Sequence, residues 1–95
     1  MQYIVLIHKN ADTRPTSAEW EQFFEVAGKT GLFQGGSEIG SRQTLGGKPV
    51  PDTSQTVGGY MRFDSENLDP LLELLNQHPV VKHGGTIELF AMPKS

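Results

Sequence analysis

Residues 56–92, TVGGYMRFDSENLDPLLELLNQHPVVKHGGTIELFAM, constrain the chain most, because they read as a strand, a helix and a second strand with almost nothing left over. Residues 56–63 place Val57, Gly59, Met61 and Phe63 on one face and Thr56, Gly58, Tyr60 and Arg62 on the other, the two-residue period of a strand. Asp64, Ser65, Glu66 and Asn67 then supply turn and cap chemistry. Pro70 is tolerated only in a first helical turn, so a helix begins just before it. Leu68, Leu71, Leu72 and Leu75 fall at helical spacing and predict one apolar stripe. His78 precedes a proline, which pushes it out of the helical region and ends the helix, with His78 read as a C-terminal cap favoured by the helix dipole. After Gly84 and Gly85 the alternation returns, with Ile87, Leu89 and Ala91 opposed to Thr86, Glu88, Phe90 and Met92. A crossover joining parallel strands of one sheet is right-handed in nearly every known case.

The remaining chain fits beside this unit. Residues 2–8 form a strand whose faces, Tyr3, Val5, Ile7 and Ile4, Leu6, His8, are both largely apolar, as in a strand covered on both sides. A polar loop leads to Thr16, Ser17, Ala18 and Glu19, a capping box that starts a helix with the stripe Trp20, Phe23, Phe24 and Ala27, closed by Gly28 or Gly31. Residues 32–45 orient less clearly, and Gly35–Gly36 suggests a bulge or a close backbone approach. Strands are therefore expected near 2–8, 33–44, 56–63 and 86–92, with helices near 16–30 and 67–77. This βαββαβ order predicts an α+β, ferredoxin-like domain, a four-stranded antiparallel sheet in the order 4-1-3-2 with both helices on one face. The opposite face would carry Ile4, Leu6, His8, Tyr60, Arg62, Glu88, Phe90 and Met92. So apolar a face marks an interface, which leads to the expectation of a homodimer joined sheet to sheet.

A chain of 95 residues is one domain and buries only roughly 60–65% of its unfolded surface. The net charge of −3 and isoelectric point near 5.5 speak against nucleic acid, which requires basic patches. The longest apolar run, residues 3–7, is too short to span a bilayer, and no basic segment leads into a secretory core. Zero cysteine excludes a disulfide framework and thiolate chemistry, and leads to the expectation of a soluble cytoplasmic protein.

The opening strand MQYIVLIH, the segment GGSEIGSR, the strand VGGYMRFD and the closing HPVVKHGGTIELFAM together resemble the YCII-related (DGPF-type) family over essentially the whole chain. The resemblance implies the dimeric α/β-barrel form of the ferredoxin-like fold. The DGPF tetrapeptide itself is replaced by Val50, Pro51, Asp52 and Thr53, and the His–Asp pair credited to family members proposed as enzymes finds no helix histidine here.

The 4-1-3-2 order also brings polar groups to one end of the sheet: His8, Arg14, Arg42, Asp52, Thr53, Ser54 and His83. His8, sharing a face with Tyr60 and Glu88, is a candidate proton acceptor, oriented by Asp52 or Glu88, and the plain alternative is a solvated strand end. Tyr60 is a candidate acid or a packed aromatic with a wet hydroxyl. His8, Asp52 and Tyr60 are thus the catalytic candidates, with Arg42, Arg62, His83 and Glu88 as ligand-binding candidates. Arg62 and Glu88 read equally as an ion pair, and His83 as part of a turn. His8, His78 and His83 lack the paired spacing of a zinc site, and the glycine pairs do not make a nucleotide-binding loop, so no metal and no cofactor is expected. Two functions follow. One is a small cofactor-independent enzyme doing acid/base chemistry on a small polar or aromatic molecule in a pocket near the dimer interface. The other is a non-catalytic ligand-binding or stress-associated accessory domain.

Overall fold

A computed structural model describes residues 1–94, apart from the Thr53 side chain. The chain runs β1 (Gln2–His8), α1 (Ser17–Thr30), β2 (Phe33–Glu38), a 3₁₀ turn (Asp52–Thr56), β3 (Val57–Asp64), α2 (Leu68–Leu75), α3 (Pro79–Lys82) and β4 (Ile87–Met92). The strands lie in the order β2-β3-β1-β4 with every neighbouring pair antiparallel, which is the ferredoxin-like α+β arrangement expected from the sequence. The register sorts the faces. Val5 lies between Met61 and Leu89, on the helix side. Ile4 lies between Arg62 and Phe90, and Leu6 between Tyr60 and Glu88, on the open side. Among the described residues no helix is long and apolar enough to cross a membrane.

The capping box at the start of α1 forms as expected. The Thr16 hydroxyl accepts from the Glu19 amide at 3.2 Å, and the Glu19 carboxylate accepts from the Thr16 amide at 3.1 Å. Gly31, at φ 72°, is the left-handed residue that closes the helix. The core is Val5, Phe23, Ala27, Met61, Phe63, Leu71, Leu74 and Leu75. Both helix stripes are narrower or rotated relative to expectation. Phe23 and Ala27 are buried, whereas Phe24 is 44% exposed. In α2 the buried face is Leu71, Leu74 and Leu75, and Leu68 and Leu72 are each 42% exposed. Leu71, Leu74 and Leu75 fall at i, i+3 and i+4, so the buried stripe is rotated from the expected one and Leu68 and Leu72 lie off it.

Strand β2 ends at Glu38, well short of residue 44. Among the described residues it pairs with β3 alone, and once Glu38 faces Gly59 and the Ile39 amide reaches the Gly58 carbonyl at 3.0 Å, little partner strand remains. The glycine pair does both things expected of it. The register slips between Phe33 and Gly35, with Gly35 at φ 119°. A Cβ on Gly36 would run into the Tyr60 carbonyl oxygen.

His78 is no C-terminal cap of α2. It is the N-cap of α3, its Nδ1 accepting from the Val80 amide at 3.1 Å, with Pro79 in the first helical position. Its ring is completely buried against Phe23 (4.8 Å between centroids) and edge-on to Trp20 (5.1 Å, 89°). Because Nδ1 accepts, Nε2 carries the hydrogen. That group has no nitrogen or oxygen partner among the described residues, and aromatic rings are its neighbours. Burial pushes the His78 pKa down from 6.5 to about 4, so the ring is neutral at pH 7.

Candidate functional site

The sheet end where β1 finishes and β3 and β4 begin carries a concentration of polar side chains, as the topology requires. A register shift between Ile7 and His8 sets His8 opposite Val57. The His8 amide donates to the Thr86 carbonyl at 3.0 Å, and the next amide, of Lys9, to the Thr56 carbonyl at 2.7 Å, so the residues just ahead of both neighbouring strands fix this corner. The His8 ring, only 7% exposed, is held at both nitrogens: Nε2 by the Glu88 carboxylate at 2.5 Å and Nδ1 by the Thr56 hydroxyl at 2.5 Å. Glu88 is half-exposed on the open face. A carboxylate only accepts, so Nε2 carries a hydrogen, and in the neutral ring Nδ1 holds the lone pair.

Beside His8 lies a cleft of about 790 Å³. Its apolar walls are Ile7, Trp20, Phe24, Phe33, Met61 and Val80, and its polar rim includes His8, Thr13 and Arg14. The partial exposure of Phe24 has its cause here, since it lines the cleft instead of the core. The cleft lies between α1, the loop before it and the sheet of one chain, so it is not the space between two sheets expected from the sequence.

Of the expected site residues, His8, Tyr60 and Glu88 come together at this corner. Asp52 does not join them. It opens the 3₁₀ turn away from the cleft lining, and the role of orienting His8 falls to Glu88 and Thr56. Arg62 forms no ion pair with Glu88 within the chain, because its guanidinium donates to the Gln34 carbonyl at 3.2 Å while Glu88 holds His8. Arg42 donates to the Ser54 hydroxyl at 2.9 Å in the loop preceding β3. The Thr53 side chain lies outside the described residues.

His83 is more than a turn residue. Its Nε2 meets the second oxygen of the Glu19 carboxylate at 2.6 Å and its Nδ1 meets the Thr13 hydroxyl at 2.6 Å. The Thr16 amide and then the His83 ring hold the Glu19 carboxyl below its usual pKa. Sequence reasoning found Glu19 as a cap and missed its second partner. Among the described residues no three His, Asp or Glu side chains gather so as to hold a metal ion.

Fold and corner together define a ferredoxin-like domain with a cleft beside two buttressed histidines. The chain matches no family model, the YCII-related one included, and no curated protein. Among solved structures it is similar to 5-chloro-2-hydroxyhydroquinone dehydrochlorinase (TftG) from Burkholderia phenoliruptrix AC1100, in complex with 2,5-dihydroxybenzoquinone. The identity is 15% over all of this chain and 96% of that one, with a TM-score of 0.49.

Proposed function

We propose that this chain is a small cofactor-independent enzyme that moves protons on a small polar or aromatic molecule held in the cleft. The observation that carries the reading is His8, a residue that borders the cleft and whose ring tautomer Glu88 fixes. Nδ1 is then the proton acceptor, with the Thr56 hydroxyl as a rotor that yields its hydrogen bond to a substrate, while the Tyr60 side chain, on the open side of the sheet opposite Leu6, takes no part in the cleft. A cleft of about 790 Å³ is within the range that small-ligand sites occupy. The walls of Trp20, Phe24 and Phe33 suit an aromatic or apolar body.

One observation favours a non-catalytic binding domain instead: both ring nitrogens of His8 are already engaged within the chain. Two measurements on the same protein separate these readings. Trp20 is the chain's one tryptophan and lines the cleft, so small aromatic carboxylates, phenols and ketones that enter should change its emission and raise the melting temperature. Bound ketones in D₂O should then exchange their acidic carbon-bound hydrogens, visible by proton NMR, and His8→Gln should abolish the exchange. Emission changes without exchange leave the binding domain, and silence in both removes the cleft as a ligand site.

The same reading takes the protein as a cytoplasmic homodimer of the dimeric α/β-barrel kind. Phe90 is 46% exposed beside half-buried Ile4, Leu6, Tyr60 and Met92, and a twofold pairing of this open face lets the patch cover itself.

A further inference from the structure

We propose that Thr13, His83 and Glu19 form a nucleophilic site on the rim of the cleft that hydrolyses small esters with an apolar or aromatic body. The proposal rests on the cleft admitting small ligands, and not on His8. Its three side chains come from the loop after β1, the end of α3 and the first turn of α1, and they make one continuous chain of contacts: Glu19 Oε2 to His83 Nε2 at 2.6 Å, and His83 Nδ1 to Thr13 Oγ1 at 2.6 Å.

The direction of that chain follows from Glu19. Its other oxygen accepts the Thr16 amide at 3.1 Å, and an ionised carboxylate can only accept from His83 as well. Nε2 therefore carries the hydrogen, Nδ1 of the neutral ring offers its lone pair, and the Thr13 hydroxyl donates to it. Hydroxyl, imidazole and carboxylate thus stand in the order and at the spacing of a nucleophile, its base and the group that orients the base, a constellation recognised by geometry and not by chain order. Holding the loop in place does not require this chain, because the Asp12 amide already donates to the His83 carbonyl at 2.8 Å. Thr13 is exposed and lines the cleft, and the His83 side chain is about one-fifth exposed. Arg14 on the same rim supplies positive charge for an oxyanion, and Trp20, Phe24 and Phe33 supply the surface for the body of the ester.

In the reaction Thr13 Oγ attacks the ester carbon while His83 Nδ1 takes the hydroxyl proton. The bond to the leaving alkoxide breaks as that proton is passed to it, giving the alcohol and an acyl-threonine. Water, deprotonated by the same nitrogen, releases the acid and restores the hydroxyl. Glu19 is a positioning residue.

The test is covalent labelling of the full chain with diisopropyl fluorophosphate, in which a phosphorus–oxygen bond to Thr13 forms, the phosphorus–fluorine bond breaks and fluoride leaves. Intact mass and peptide mapping should find one adduct, on Thr13. Thr13→Ser should keep it and Thr13→Val should lose it with an unchanged circular dichroism spectrum. His83→Gln should slow labelling on the order of 10²-fold, the contribution of a general base. Glu19→Gln should lower the maximal labelling rate without moving the reagent concentration that gives half of it. No adduct, an adduct on another residue, or equal rates in wild type and His83→Gln overturns the proposal. A Trp20 emission response to ligands in a protein whose Thr13 stays unlabelled rejects this site alone and leaves the cleft reading intact.

Discussion

Acid between about pH 6.5 and 4 should weaken this fold at His78. In the folded chain its ring is fully buried between Trp20 and Phe23 and titrates at about 4, against 6.5 when free. Between those two values the unfolded chain binds the proton and the folded chain does not, so stability rises with pH across the window. The contribution is complete above about pH 6.5, falls as the pH is lowered, and is gone near pH 4. At about 1.4 kcal/mol per pH unit, the interval is worth about 3 kcal/mol, a large share of the roughly 5–15 kcal/mol that holds a small domain together. The mechanism is local: a proton on Nδ1 removes the acceptor of the Val80 amide and puts a charge among aromatic rings. The assay is urea unfolding of wild type and His78→Asn from pH 7.5 to 3.5. Asparagine keeps an N-cap acceptor and cannot titrate. The variant should be the weaker protein at pH 7.5, having lost the ring's packing, and the difference should shrink by about 3 kcal/mol towards pH 4. A difference that stays constant with pH would show that His78 does not titrate as its burial demands.

Phe23→Ala or Leu71→Ala should cost about 2–5 kcal/mol in urea unfolding, because each leaves a cavity in the core, whereas the half-exposed Phe24 and Leu72 should cost clearly less on the same change. Equal losses at Phe23 and Phe24 would contradict the helix orientation described. Thr16→Ala should cost about 1 kcal/mol by removing the hydroxyl acceptor of the capping box, and an unchanged midpoint would count against that bond. Sedimentation of the wild type at micromolar concentration should give a dimer burying more than about 1,000 Å² in total, and Phe90→Asp a monomer or an insoluble chain. A stable wild-type monomer would refute the pairing of open faces.

Much of the fold could be read from the sequence because it is written in local periods. Alternation in residues 57–63 and 87–92 assigns faces correctly, and the Thr16–Glu19 box and Gly31 mark both ends of α1. The end of β2 was not readable, since a polar, glycine-rich strand stops where its partner stops and not where its own pattern does. Helix α3, four residues long, is too short to show a period, and His78 before Pro79 reads equally as the end of one helix and the cap of the next. The site divides in the same way. Strand order alone brings His8, Tyr60 and Glu88 to one corner. Choosing Glu88 over Asp52 needs the side-chain geometry, and the link from Glu19 to His83 joins residues 64 positions apart.

The two oxygens of Glu19 leave position 19 little room for evolutionary drift. One oxygen holds the Thr16 amide and the other holds His83. Alanine would forfeit both bonds, and lysine would add a cation at the positive end of a helix. Glutamine could keep the cap through its carbonyl oxygen, but the amide left facing His83 is a donor that requires the opposite ring tautomer. Any lineage that loosens this carboxylate therefore changes how α1 begins and how the cleft's rim is protonated in a single mutational step.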